Sequence, residues 1–158
     1  MARHFAQDTG DSARAVRRGW CVALVVWVCV IWGHSLLAGP QSSAESGFVV
    51  TLLRPLFTAV GVTDPDLMSL AVRKAAHFTE YLILGLIVAN NCRVRMVRGW
   101  RAAILTLAFV AVPFIDELCI QRMTPGRSGN LVDVGIDCAG FALGTFVAWL
   151  WFRGKDRS

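Results

Sequence analysis

Apolar residues run along this chain in four blocks, about Trp20 to Leu37, Ser69 to Asn91, Trp100 to Gln121 and Leu131 to Phe152, separated by polar connections. At about 1.5 Å of rise per residue, each block can cross the ~30 Å hydrocarbon core of a bilayer as an α-helix, the first only just. In the long connection over 38–68, Val49, Leu52, Leu53, Leu56 and Val60 recur at helical spacing, while Thr51, Arg54 and Thr58 fall elsewhere on the wheel. This predicts a short amphipathic helix on the outer surface, weakened or bent at Pro55. Asp64 then offers an N-cap and Pro65 a first helical residue, so the second membrane helix is expected to begin well before its lipid-buried part. There is no internal repeat and no low-complexity segment. The predicted fold is all-α: a polytopic membrane helical bundle with four transmembrane helices and a short amphipathic outer-face helix.

Composition agrees, with 55% hydrophobic residues, 17% charged residues and a mean hydropathy of +0.53. A soluble domain of this length needs far more charge to coat its surface, whereas a lipid-facing surface is left apolar. The net charge of +5 therefore reads as topology and contact with membrane lipids, and nucleic acid is not an expected partner.

Eleven of the sixteen basic residues lie before the first block, in the connection Arg93 to Arg101, and after Phe152; Arg54, Arg73, Lys74, Arg122 and Arg127 occupy the other connections. The positive-inside rule then puts both termini in the cytoplasm, and Trp20, Trp100, Trp149 and Trp151 sit at the same ends as interfacial anchors. The expected organisation is a basic cytoplasmic arm over 1–19, a transmembrane domain over 20–152 and a cytoplasmic tail over 153–158. The first block is long and lacks a clean cleavage site, which favours a retained signal-anchor over a cleaved signal peptide. Cys21, Cys29, Cys92, Cys119 and Cys138 form neither a disulfide framework nor a zinc-ligand spacing, and read as packing residues; Cys119 and Cys138 become neighbours if their helices pack.

Polar residues interrupt this pattern in three places. In RKAAHFTEYLILGL, Lys74, His77, Glu80, Tyr81 and Gly85 share an arc of about 140° on a helical wheel, and such a face must look into the bundle because ionisable groups facing lipid are expensive. The third block ends with Asp116, Glu117 and Gln121. The fourth begins with Asp133 and Asp137 one turn apart, and Asp137 continues into a stripe of small residues, Gly140 and Gly144. Carboxylates at i and i+4 repel unless a cation, a shared proton or a metal lies between them. With cytoplasmic termini, all three clusters reach the outer leaflet, where Lys74, His77, Glu80, Tyr81, Asp116, Glu117, Gln121, Arg127, Asp133 and Asp137 could line one polar pocket.

RKAAHFTEYLILG, DELCIQ and PGRSGNLVDVGIDCAGFALG resemble the three signature blocks of the VanZ-like membrane proteins: Lys-x-x-His-Phe-x-x-Tyr, Asp-Glu-x-x-x-Gln, and Gly-Arg leading into paired aspartates and glycines. The resemblance spans about Arg73 to Gly144, and QSSAESG, from Gln41 to Gly47, is similar to the serine-rich outer loop of that family. After the first block the chain departs from it: His34, Ser35 and Leu36 stand where many members have Ser-Ser-Gln. The resemblance implies a small multi-pass protein of bacterial cytoplasmic membranes, in a family whose founding member is associated with resistance to the glycopeptide teicoplanin.

Two functional readings follow. In the binding or accessory reading, the pocket recognises an envelope lipid, a peptidoglycan precursor or a partner subunit, or alters the surface that a glycopeptide meets, without turnover. In the enzymatic reading, His77 with Glu80 or Asp116 supplies a base and its orienting partner. Asp133 and Asp137 then hold a proton or a divalent cation, and Lys74 and Arg127 grip an anionic head group. Tyr81, Glu117 and Gln121 complete the substrate-binding wall. No nucleophile elbow or zinc-protease helix is present, and Asp/Glu/His sites for hard cations lack a sharp spacing rule, so neither cofactor nor metal ligand set is assigned. A proton-coupled carrier fits less well, four helices being few, although a homo-oligomer could supply a repeat.

Structural roles compete residue by residue. His77 could make an interhelical hydrogen bond, Tyr81 could anchor an interface, Arg73 and Lys74 could snorkel, and Asp133 could be a helix cap. His34 and Ser35 read as helix-end packing. A cluster this charged exceeds what bundle specificity alone requires.

Overall fold

The computed structural model describes residues 2–37 and 39–155, with side chains described at 11–37, 44 and 46–154. Helix α1 (Ala2–Ser35) runs unbroken through most of the segment expected as a separate basic arm. That segment contains no proline, so a helix nucleated in the apolar block can propagate back through it. Helix α2 is Gly39–Ala59 and α3 is Pro65–Val94. The expected cap of α3 is present: the Asp64 side chain accepts from the Asp66 N–H at 2.9 Å, and Pro65 opens the helix. The last helix, α7, is Leu131–Lys155.

The third apolar block is one helical stretch, as the sequence predicted, but its hydrogen bonding is irregular. It comprises α4 (Trp100–Phe109), α5 (Ala111–Ile115), a π-helical turn at Asp116–Ile120 and α6 (Gln121–Met123). Pro113 offers no N–H to the ladder just ahead of the wide turn, a setting in which helices commonly depart from regular geometry.

Three stretches, Asp11–Ser35, Trp100–Met123 and Leu131–Gly154, are long and apolar enough to cross a membrane. Among the described residues α3 is not one of them, because His77, Glu80, Asn90 and Asn91 dilute its hydropathy. Yet α3 is the centre of the molecule, packed by α7, α1 and α2. Its polar residues meet protein on most sides.

The tightest contact is between α3 and α7, which run parallel: Gly140 lies against Phe78 and Gly144 against Leu82. A Cβ added at Gly85, Gly140 or Gly144 would stand 2.3, 2.3 or 2.0 Å from a backbone oxygen of the opposite helix. No side chain fits there, and the backbones meet directly. Helix α1 packs antiparallel to α3, with Trp27 Nε1 donating to the Glu80 carbonyl (2.9 Å) and Asn91 Nδ2 to the Trp20 carbonyl (2.8 Å). Ile31, Tyr81, Leu84, Val88, Val112 and Phe141 form the core. Val22, Val25, Ile104, Leu107, Phe146 and Leu150 stay exposed on the outside, as a lipid-facing surface requires.

Helix α2 is longer than expected and continues through Pro55. It also turns a different face to the bundle: Ser46 is buried and Val50, Leu53 and Phe57 are half-buried, while Val49, Leu52, Leu56 and Val60 of the apolar stripe remain exposed. An apolar stripe seeks the protein only when water is the alternative, and beside a bilayer it is equally at ease outward. No disulfide joins the five cysteines.

Arg17, Arg93 and Arg153 lie at one end of the bundle. Arg17 Nε donates to the Val94 carbonyl at 3.1 Å, the Arg93 guanidinium stacks over Phe152 at 4.3 Å, and Arg153 over Trp149 at 4.9 Å. The acidic clusters lie at the opposite end.

Candidate functional site

Parallel packing of α3 and α7 sets the site's geometry. With Gly140 seated on Phe78, the turns above bring Lys74 to Asp133 and His77 to Asp137. Lys74 Nζ donates to Asp133 Oδ1 in a close, partly exposed ion pair. His77 Nδ1 stands 3.7 Å from Asp137 Oδ1, too far for a hydrogen bond. Asp137 is fully buried, and neither of its oxygens has a hydrogen-bond partner.

The π turn contributes the other two carboxylates. One residue is inserted into the turn, so Asp116, Glu117 and Gln121 all point inward and are all buried. Tyr81 Oη donates to Asp116 Oδ2 at 3.2 Å, and Gln121 Nε2 donates to Glu117 Oε1 at 2.5 Å. Such polar groups persist in the interior because each is hydrogen-bonded or charge-compensated.

Between α6 and α7 the chain closes over the cluster. Thr124, Pro125, Gly126 and Arg127 form a turn, the Arg127 N–H donating to the Thr124 carbonyl at 3.2 Å and Gly126 lying at φ +75°, as the third residue of a type II turn requires. Gly129 rests on the Glu117 backbone, where a Cβ would stand 1.7 Å from the Glu117 carbonyl oxygen. The next residue's N–H, that of Asn130, donates to Glu117 Oε2 at 3.3 Å. Burial draws the Arg127 guanidinium below its ordinary value, against the opposing pull of Asp116, Glu117 and Glu80.

Above the carboxylates is a cavity of about 190 Å³, its walls including Arg73, Lys74, His77, Arg127, Asp133 and Asp137. Cations and carboxylates thus line it together, with Arg73 exposed, the Lys74–Asp133 pair part-exposed and Asp137 fully buried. Of the predicted site residues, Lys74, His77, Gln121, Arg127, Asp133 and Asp137 border this cavity; Asp116, Glu117 and Tyr81 lie packed beneath or beside it.

Glu80 is bonded to α1. Its Oε1 meets His34 Nδ1 at 2.8 Å, so the residue read as helix-end packing is the partner of the glutamate read as a base's orienter. Asp137 Oδ1 is the carboxylate oxygen 3.7 Å from His77 Nδ1, and Asp116, the other expected partner, also brings an oxygen within 4.8 Å of a His77 ring nitrogen. Asp133 is not the cap of α7 either: Asn130 Oδ1 accepts from the Asp133 N–H at 3.0 Å, and Asn130 Nδ2 donates to Asp133 Oδ2 at 2.8 Å. The signal was present, as Asn-x-x-Asp ahead of an apolar run is a capping pattern. Thr124, whose hydroxyl lies 3.1 Å from the Ser35 carbonyl oxygen and ties the closing loop to α1, gave no such signal.

His77, Asp116, Glu117 and Asp137 each bring one nitrogen or oxygen into a group whose members all lie within 4.8 Å of one another. Three helical segments supply these atoms. The VanZ/LLP1 family model matches residues 20–152. No curated protein and no solved structure matches the chain.

Proposed function

This chain belongs to the VanZ/LLP1 family, and from that premise we propose a four-span protein of the bacterial cytoplasmic membrane whose polar cavity opens outward and binds an anionic envelope ligand in an accessory role. Two features support a fourth span at α3. It lies backbone to backbone with α7, which is long and apolar enough to cross, and its polar residues face neighbouring helices. Arg17, Arg93 and Arg153 share one end of the bundle, the end that the positive-inside rule assigns to the cytoplasm.

The observation that carries the ligand class is the lining of the cavity, which includes Arg73, Lys74 and Arg127; with α3 and α7 both spanning, these cations would stand at lipid-headgroup depth. Guanidinium and ammonium groups so placed suit a phosphate or carboxylate, and the apolar exterior leaves a lipid tail in the bilayer. A lipid-linked peptidoglycan precursor has this chemistry, and masking such a molecule would lower glycopeptide binding of the teicoplanin type. The second reading, a membrane-embedded enzyme acting on a lipid-linked substrate, rests on His77, which borders the cavity with Asp137 behind it.

Envelope lipids and peptidoglycan precursors from cells with and without the protein separate the two. Unchanged species with reduced teicoplanin binding supports the accessory role. A new or missing species makes the protein an enzyme. Unchanged species with unchanged antibiotic binding removes both readings.

A further inference from the structure

We propose that His77, Asp116, Glu117 and Asp137 form a site for one divalent cation of borderline hardness, such as Mn²⁺ or Zn²⁺, in the floor of the cavity. The sequence suggested a divalent cation only between Asp133 and Asp137 and gave no ligand set, because the four residues are scattered over 77–137 and follow no ligand motif. Folding brings one atom of each within 4.8 Å of all the others. Ligands about 2.1–2.4 Å from a common ion lie at most about 4.2–4.8 Å apart, so the cluster is already near the required size.

The hydrogen bonds point to an ion independently of the carboxylate count. The outer sides of the cluster are occupied: Tyr81 donates to Asp116 Oδ2, Gln121 to Glu117 Oε1 and the Asn130 N–H to Glu117 Oε2. The groups left without a hydrogen bond are His77 Nδ1, Asp116 Oδ1 and both oxygens of Asp137. Asp137 and Asp116 are fully buried. This is the pattern of a metal centre, in which outer partners orient the carboxylates; the ion takes the unbonded atoms of His77, Asp116 and Asp137, and Glu117 ligates through the second lone pair of an oxygen that already accepts a hydrogen bond.

Compensation from the nearby side chains is partly committed elsewhere. Lys74 is paired with Asp133, and His34 with Glu80. A divalent ion would balance carboxylates that otherwise repel at this range. The donor set also narrows the choice: one imidazole disfavours Ca²⁺ and Mg²⁺, and the absence of thiolate among the four leaves a borderline ion held mainly by oxygen. The proposal concerns the floor of the cavity and stands whether or not an envelope ligand binds among its lining cations.

Full-length protein purified in detergent and stripped with EDTA provides the test. Mn²⁺ is titrated while free Mn²⁺ is followed by electron paramagnetic resonance, and Zn²⁺ retained after desalting is measured by mass spectrometry. The expected result is one ion per chain for at least one of the two metals, a higher Tm when it is bound, and at least tenfold weaker binding in Asp137→Asn. Glu117→Gln should weaken binding similarly, so misfolding of one variant leaves the other to decide. Asp66→Asn, an exposed carboxylate outside the cluster, should bind as the wild type does. Absence of stoichiometric uptake of both metals by folded wild-type protein would overturn the site and leave protons to hold the cluster together. Undiminished binding in a folded Asp137→Asn or Glu117→Gln variant would also overturn it.

Discussion

Asp137 is the residue on which the site turns, because a buried carboxylate with two unbonded oxygens costs several kcal/mol unless a cation or proton compensates it. Asparagine keeps its volume and one acceptor while losing the charge. Asp137→Asn and His77→Ala are therefore expected to reach the membrane at near-normal levels and to elute as monodisperse protein in detergent, yet to lose the envelope phenotype. Loss of detergent-stable protein in both variants would assign the pair a structural role. Lys74 allows a milder comparison. Its ion pair with Asp133 is part-exposed, so Lys74→Met should lower stability by no more than about 1 kcal/mol, read as a small fall in Tm. If the cation also grips an anionic ligand, the same variant should weaken phenotype or binding far more than that small change in stability explains.

Among the elements, the α3–α7 pair has the least room for change. At Gly144 a methyl group would stand 2.0 Å from the Leu82 carbonyl oxygen, so Gly144→Ala must push the helices apart and with them His77 from Asp137. The expected cost is about 1–3 kcal/mol, seen as a lower Tm in detergent, with function lost before folding is. Gly33→Ala in α1, where nothing lies within 4 Å, is the matched control and should be neutral or slightly stabilising. A Tm unchanged by Gly144→Ala would show that the two backbones are less closely apposed. The π turn is the other sensitive element: deleting Cys119, on its exposed side, removes one residue from it. The turn can then close as an α-helix, which narrows it and shifts Asp116 and Glu117 relative to the groups they now meet while leaving the flanking segments on the same face. Function should be lost, while Cys119→Ala keeps the register and should retain it.

For the whole molecule, the decisive measurement is orientation. Reporter fusions ending after Arg98 should read as cytoplasmic and those ending after Gly126 as external; the reverse result would put the cavity on the cytoplasmic side and remove the envelope ligand from consideration. Much of the bundle was legible in the chain itself. Apolar block length set the helices, Asp64–Pro65 set the start of α3, and Gly140 with Gly144 marked the face that another helix approaches, because each of these acts over a few residues. The signature blocks likewise brought Lys74, His77, Asp116 and Asp137 forward as one candidate group. Other features were decided only by folding. The π turn that turns Asp116 and Glu117 inward together arises within an otherwise apolar helix, and no residue of DELCI demands it. The pairing of Glu80 with His34, and of His77 with Asp137, depends on how far one helix slides along another. The inner face of α2 also escaped the hydrophobic pattern, since in a bilayer apolar residues are at ease against either lipid or protein. In this chain sequence periodicity identifies helices and their ends; backbone contact at three glycines fixes which polar atoms share one small space.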